Sequence, residues 1–258
     1  MKYAIRSMFI APKGKIFLAM DLSQAENWVT AYSAKEETMK FELQNGDIHS
    51  ATARFIFNRD TVTKEERYVG KRLNHALSYR MSPQRLFQVF NKDAQVSGVS
   101  ITLQEAKKYH DRWHDLYKIK QWWTQIEGAL SNDRTIKTIY GRSRTFYGRW
   151  GQELFKEATA FIPQSTVADH ALGCTQPDLG IEGGLVHIWR WCRRNPECSL
   201  VHTAHDSVML EVPKGREVEI YGELKPLFAR PMLIHGELFT IPVEAEIGER
   251  WGECEKIK

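Results

Sequence analysis

The stretch KIFLAMDLSQAENWVTAYSAKE, residues 15–36, decides how the fold is read. It begins with a short apolar run that ends in an acid, Asp21. A run of this length suits a buried strand. Ser23 and Glu26 follow with capping-box spacing, the signature of a helix N-terminus. Asp21 is therefore predicted at a strand-to-helix junction. Alone it has a plain explanation, since negative charge suits the positive end of a helix dipole.

A second acid has the same setting. SLVHTA (199–204) and SVMLEV (207–212) read as two strands on either side of His205 and Asp206. A turn aspartate is ordinary. Taken together the two acids say more: both terminate apolar strands of what reads as one sheet, so they converge at one edge. Two neighbouring carboxylates repel unless cations stand with them. Mg²⁺ takes few carboxylates and completes its shell with water and phosphate oxygens. Two such ions about 4 Å apart can activate a 3′-hydroxyl and stabilise a leaving pyrophosphate.

A third stretch supplies cations. TKEERYVGKRLNHALSYR (63–80) opens with the capping box Thr63 and Glu66, and predicts a helix through Tyr79. On it Arg67, Lys71, His75 and Tyr79 recur every fourth residue and form one stripe, while Val69, Leu73, Ala76 and Leu77 pack inward. A solvated face is the simple explanation. A stripe of two cations and two rings also suits a nucleotide, with charge for phosphates and flat surfaces for sugar or base.

The remaining chain reads as short helices over 35–92, one opened by Ser82 and Pro83. A long helical stretch over 102–130 is opened by Thr102 and Glu105. A hairpin around Gly141 and a long helix from about 151 to 173 follow. A Pro/Gly loop covers 174–184, a helix runs from Pro213 to about 229, and FTIPVEAEIG (239–248) reads as a last strand. This order predicts an α+β fold: an antiparallel sheet backed by helices, with a helical block inserted after the first strand.

Composition sets outer bounds. The 258 residues are 42% hydrophobic and 26% charged, enough for one large domain or two modest ones. No window approaches the ~20 apolar residues of a membrane span. MKYAIRSMFIAPKGK lacks the sustained apolar run of a signal peptide. The net charge of +4 tolerates a polyanionic partner. Four cysteines without a CxxC pattern read as reduced thiols in a cytoplasmic compartment.

In combination these residues resemble family A, polymerase I-like, DNA polymerases. DLSQAENWVTAYS (21–33) resembles motif A, RYVGKRLNHALSYRMS (67–82) motif B and HDSVMLEVP (205–213) motif C. DIHSATARFIF (47–57), TIYGRSRTF, PQSTVADHA and AEIGERW are similar to intervening family segments, in order. The resemblance implies a palm in two parts, 1–34 and 135–258, around helical fingers, 35–134. It implies that Asp21 and Asp206 hold two Mg²⁺ ions. Arg67 and Lys71 would bind the triphosphate of an incoming dNTP, with Lys71 as proton donor to pyrophosphate. His49 and Gln24 would sit near phosphates or sugar, His75 against the sugar, and Tyr79 by the templating base. Glu26 would be a steric gate against the ribose 2′-hydroxyl. Gln164, His205 and Lys156 would touch primer-template DNA.

The sequence departs from the pattern at His75, where the family has Phe or Tyr, at Ser207, where it has Glu, and at Arg80, where it has Gly. The family's thumb and exonuclease segments have no counterpart. That predicts a reduced, split or fragment form, with a second chain supplying a thumb or processivity, in a bacterial or phage-infected cytoplasm. An RNA-synthesising relative and a non-catalytic DNA-binding subunit are the rival readings. His110 and His114 have a zinc-compatible spacing but lack an HExxH pattern, and Cys192, Cys198, His202 and His205 are too closely spaced for a zinc finger.

Overall fold

A computed structural model describes residues 5–257; the first four residues of the N-terminal stretch lie outside it. The chain opens with β1 (Lys15–Leu22), α1 (Ala25–Ala34), α2 (Glu37–Asn45), α3 (Ile48–Phe57), α4 (Lys64–Ser78) and α5 (Pro83–Ser97). Then come α6 (Leu103–Leu116), α7 (Lys120–Asp133), β2 (Thr135–Lys137), β3 (Ser143–Thr145), α8 (Gln152–Leu172) and α9 (Gly184–Arg194). The last elements are β4 (Ser199–Ala204), β5 (Ser207–Pro213), α10 (Glu217–Phe228), β6 (Pro231–Ile234), β7 (Glu237–Thr240), β8 (Val243–Gly248) and β9 (Glu255–Lys256). They form two compact units. One comprises the described part of Met1–Ala25 with Ile139–Gly141 and Ser165–Lys258, the other Glu26–Thr138 with Arg142–Gln164.

The first unit is built on an antiparallel sheet of order β4-β5-β1-β8-β9. Ile16, Leu18, Met20 and Leu22 alternate along β1 and are buried beside Val208, Leu210 and Val212 of β5 and Val243 and Ala245 of β8. Ile220, Leu224 and Phe228 of α10 are buried as well, and α10 packs on all three strands. Period-2 alternation leaves the other face to Ala19 and Asp21. β6 and β7 form a separate hairpin through His235 and Gly236, both at positive φ, as a two-residue turn of the type I′ pattern requires.

The second unit carries helices α2 to α7. The α4 capping box forms as expected, with Thr63 Oγ1 accepting from Glu66 N and the Glu66 carboxylate accepting from Thr63 N. α3 crosses α4 so closely that a Cβ on Gly70 would lie 2.1 Å from the His49 carbonyl oxygen. Only glycine permits that approach. An apolar cluster of Trp122, Ile126, Leu130, Phe146, Phe155 and Phe161 forms a core within the unit.

Three local expectations are corrected. The 102–130 stretch is two helices, because Tyr117 leaves helical geometry at φ −116° and ψ 117°. That turn fully buries Tyr117 and Ile119 and sets the phenol 2.9 Å from Thr52 Oγ1. FTIPVEAEIG divides at Ile241 and Pro242 into β7 and β8, since proline has no N–H for the ladder. Ser23 and Glu26 do not form a capping box: the Ser23 hydroxyl donates to Glu244 Oε1 at 3.0 Å, and the Glu26 carboxylate takes the Tyr79 hydroxyl.

Candidate active site

In the first unit, backbone pairing places the acids. Asp21 lies opposite Ser207 in the β1–β5 ladder. Ala204 pairs with Ser207, so His205 and Asp206 form the turn between β4 and β5. Leu22 N–H donates to the Asp206 carbonyl at 3.0 Å and extends the ladder to that residue. Asp21 and Asp206 therefore stand at the same end of neighbouring strands. His205 adopts φ +51° at the turn and is exposed. Gln24 sits at φ +57° directly after β1, with its amide oxygen buried and unpartnered. Ser207, where the resemblance expects an acid, donates its hydroxyl to the Ala204 carbonyl at 2.9 Å and closes the hairpin.

Sequence reasoning missed a third carboxylate here. Glu244 of β8 faces Asp21 from the other side of β1. It accepts from Ser23 Oγ and from Lys256 Nζ. Asp21, Ser207, Glu244 and Glu246 line a cavity of about 240 Å³, closed by His202 and Trp251. Asp206 is outside that lining. The alternation in VEAEIG marks Glu244 as surface-facing, but nothing local in sequence puts it beside Asp21.

In the second unit, the α4 stripe forms as expected. Arg67, Lys71 and His75 are exposed and Tyr79 is half-buried, while Val69, Leu73, Ala76 and Leu77 face inward. Arg67 Nε donates to Asp47 Oδ2 at 2.6 Å. Burial works to raise the Asp47 carboxyl, but hydrogen bonds from Ser50 and Arg67 outweigh it and hold it below the usual range. His49 enters the site from α3 and is buried, with its ring pushed down to about 4 chiefly by burial. Arg67, Lys71 and His75 push in the same direction, and Asp47 opposes them.

His75 meets the Tyr79 ring edge-on at 5.4 Å and 85°. The Tyr79 hydroxyl donates to the Glu26 carboxylate; burial, then that carboxylate, raises the phenol well above its ordinary value. Tyr79, Arg149 and Lys156 line one cavity of about 550 Å³, and Lys156 pairs with Glu153 at 2.7 Å. Gln164 is exposed on α8.

Arg80 takes a left-handed backbone, φ +61°, where its glycine-like position demands one. Its guanidinium is buried, donates to Thr159 Oγ1 and the Glu127 carboxylate, and lies over the Trp123 and Phe155 rings. The His110 and His114 rings meet edge-on at 4.6 Å, and His114 is pushed down to about 3 by burial first and by His110 second. Cys192 and Cys198 are free and buried, with burial raising both thiols.

The family model for DNA polymerase family A matches residues 1–253. DNA polymerase I of Aquifex aeolicus is 27% identical over 258 residues, covering 96% of this chain and 41% of that protein. The thermostable DNA polymerase I of Thermus filiformis is 27% identical over 255 residues, covering 95% of this chain and 28% of that protein. Among solved structures, the POL domain of Pol1 from M. smegmatis, in complex with DNA primer-template and dNTP, superposes with a TM-score of 0.74 at 20% identity. That match covers 96% of this chain and 42% of the other. The chain thus spans less than half the length of these relatives. Its match to the family runs through both units, and the chain belongs to DNA polymerase family A.

Proposed function

We propose that this chain performs template-directed DNA synthesis, adding dNTPs to a primer 3′-hydroxyl with two Mg²⁺ ions as cofactors. The observation that carries the reading is the β1–β5 register, which stands Asp21 next to the turn that bears Asp206. The residues fit the ion. Asp21 and Asp206, on neighbouring strands, offer the one or two carboxylates that Mg²⁺ needs beside water and substrate phosphate. When bound, such ions lower the pKa of the attacking hydroxyl and stabilise the leaving group.

The side chains take the other roles. Arg67 and Lys71 grip the triphosphate, and Lys71 delivers a proton to the departing pyrophosphate. His49 and Gln24 donate to phosphate or sugar. The exposed His75 edge and the Tyr79 ring make a wall for sugar and base. Glu26, held by the Tyr79 hydroxyl, occupies the space a ribose 2′-hydroxyl needs. Gln164, His205 and Lys156 contact the primer-template. The M. smegmatis complex, which holds primer-template and dNTP, supports DNA and dNTPs as partners of this chain.

Primer extension tests the reading. The wild type should extend with dNTPs and not rNTPs. Asp21→Ala and Asp206→Ala should each lose on the order of 10³-fold in rate, the effect of removing several kcal/mol of charge stabilisation, with unchanged melting. Extension that survives both substitutions, or none by the wild type even with a thumb-bearing partner chain added, overturns it.

A further inference from the structure

The buried polar atoms beneath the α4 stripe fix the orientation of one side-chain amide. Asn74 of α4 is fully buried. Its Oδ1 accepts from Trp113 Nε1 at 2.8 Å and lies 2.9 Å from Thr52 Oγ1. An indole nitrogen can only donate, so the atom facing it must be the amide oxygen. On the other side Nδ2 donates to the Ile48 carbonyl at 3.3 Å, and a carbonyl can only accept. Both ends of the amide are thus fixed by their partners.

The second proton of Nδ2 points to His49 Nδ1, 3.1 Å away. That ring nitrogen must offer a lone pair. We propose that Asn74 is a positioning residue that fixes His49 as the neutral tautomer with its proton on Nε2, making His49 an uncharged N–H donor for a phosphate oxygen. An imidazolium would set two donors against each other across 3.1 Å. The groups facing the ring act in the same direction: Arg67, Lys71 and His75 disfavour a further positive charge, and burial adds to them, with Asp47 alone in opposition. Asp47 itself reaches the His49 backbone N–H at 3.1 Å. The backbone of His49 is seated by the close approach of Gly70.

The ligand assignment rests on the polymerase reading; the tautomer does not. A neutral donor beside Arg67 and Lys71 adds a directed hydrogen bond to phosphate without a third mutually repelling charge. It also leaves the contact independent of pH through the physiological range.

Two-bond proton–nitrogen correlation spectra of the ¹⁵N-labelled full chain test the proposal, with the His49 ring assigned by loss of its signals in His49→Gln. The wild-type ring should show the Nε2–H pattern and stay neutral at pH 6. Asn74→Asp replaces the donor by an acceptor of the same shape. It should invert the pattern to Nδ1–H and raise the ring's titration point, and the KM for dNTP should rise about tenfold with kcat little changed. If that variant does not fold, Asn74→Ser, which removes the amide N–H that faces Nδ1, should give a mixed tautomer pattern. An Nδ1–H or charged wild-type ring at pH 7, or a pattern unmoved by either substitution, overturns the tautomer assignment. Adding dGTP to the wild type should shift the Nε2 signal. A correct tautomer whose Nε2 ignores dGTP overturns the donor role and leaves the polymerase reading to primer extension.

Discussion

The candidate residues of the two units are held by different physics. In the first unit, Asp21 and Asp206 are placed by a ladder of backbone hydrogen bonds that persists whatever side chain stands at either position. In the second, Arg67, Lys71, His75 and Tyr79 depend on how one helix seats on another. That seat needs a missing side chain at Gly70 and a buried network of Asn74, Thr52, Trp113 and Tyr117. A polar network that is only partly satisfied is worse than an apolar contact. The acid-bearing half should therefore tolerate change, and the cation-bearing half should be fragile.

The largest test of this contrast is acid. The second unit buries two histidines, His49 at about 4 and His114 at about 3, while His170 at about 3 lies in the first; burial is the main cause for each. Below the ordinary value of 6.5 each folded ring binds fewer protons than the unfolded one. Their contribution is fully present above pH 6.5 and is lost as pH falls toward 4. Each ring can remove up to ~1.4 kcal/mol per pH unit in that window. Hydrogen exchange at pH 5 against pH 7 should show α3, α4 and α6 losing protection before β1 and β5. Equal loss in both units would break the comparison.

Much of this division is legible in the sequence, and the rest is not for a physical reason. Capping boxes are local, so Thr63 with Glu66 and Thr102 with Glu105 form as written. Ser23 with Glu26 has the same spacing but fails, because the serine is claimed by Glu244, 221 positions away. The break at Tyr117 follows from burial and a contact with Thr52, 65 positions back. Asp21 and Asp206 could be found because each ends an apolar run. Asn74 could not: a helical asparagine looks solvated until Trp113 is known to face it.

Two glycines sharpen the contrast by the sign of one substitution. Gly70→Ala drives a methyl into the backbone of α3, at 2.1 Å from the His49 oxygen and 3.2 Å from Ala53 N. Overpacking of this kind costs about 3 kcal/mol, and the gain in helix propensity offsets only ~1 of it. Gly222 in α10 of the first unit has no neighbour within 4 Å of a Cβ. Gly222→Ala should therefore stabilise by up to ~1 kcal/mol. Thermal melts of the two variants decide: a stable Gly70→Ala protein would show that α3 and α4 slide freely and have no fixed seat.

Arg80 supplies the smallest and cleanest measurement, because its backbone and side chain can be separated. Arg80→Ala removes the contacts with Glu127, Thr159, Trp123 and Phe155 but keeps a Cβ at φ +61°. Arg80→Gly removes the same contacts and releases the left-handed strain, worth about 1 kcal/mol. Both variants should melt below the wild type, since each abandons the partners of a buried cation. The glycine variant should lie above the alanine variant by about 1 kcal/mol in denaturant unfolding. If the two unfold together, the backbone at 80 is free to relax, and the contacts of Arg80 do not serve to hold a strained exit from α4 behind Tyr79. If they separate as expected, the end of the cationic helix is held by one side chain against its own backbone preference. The backbone at Asp21 and Asp206 takes its place from the ladder instead.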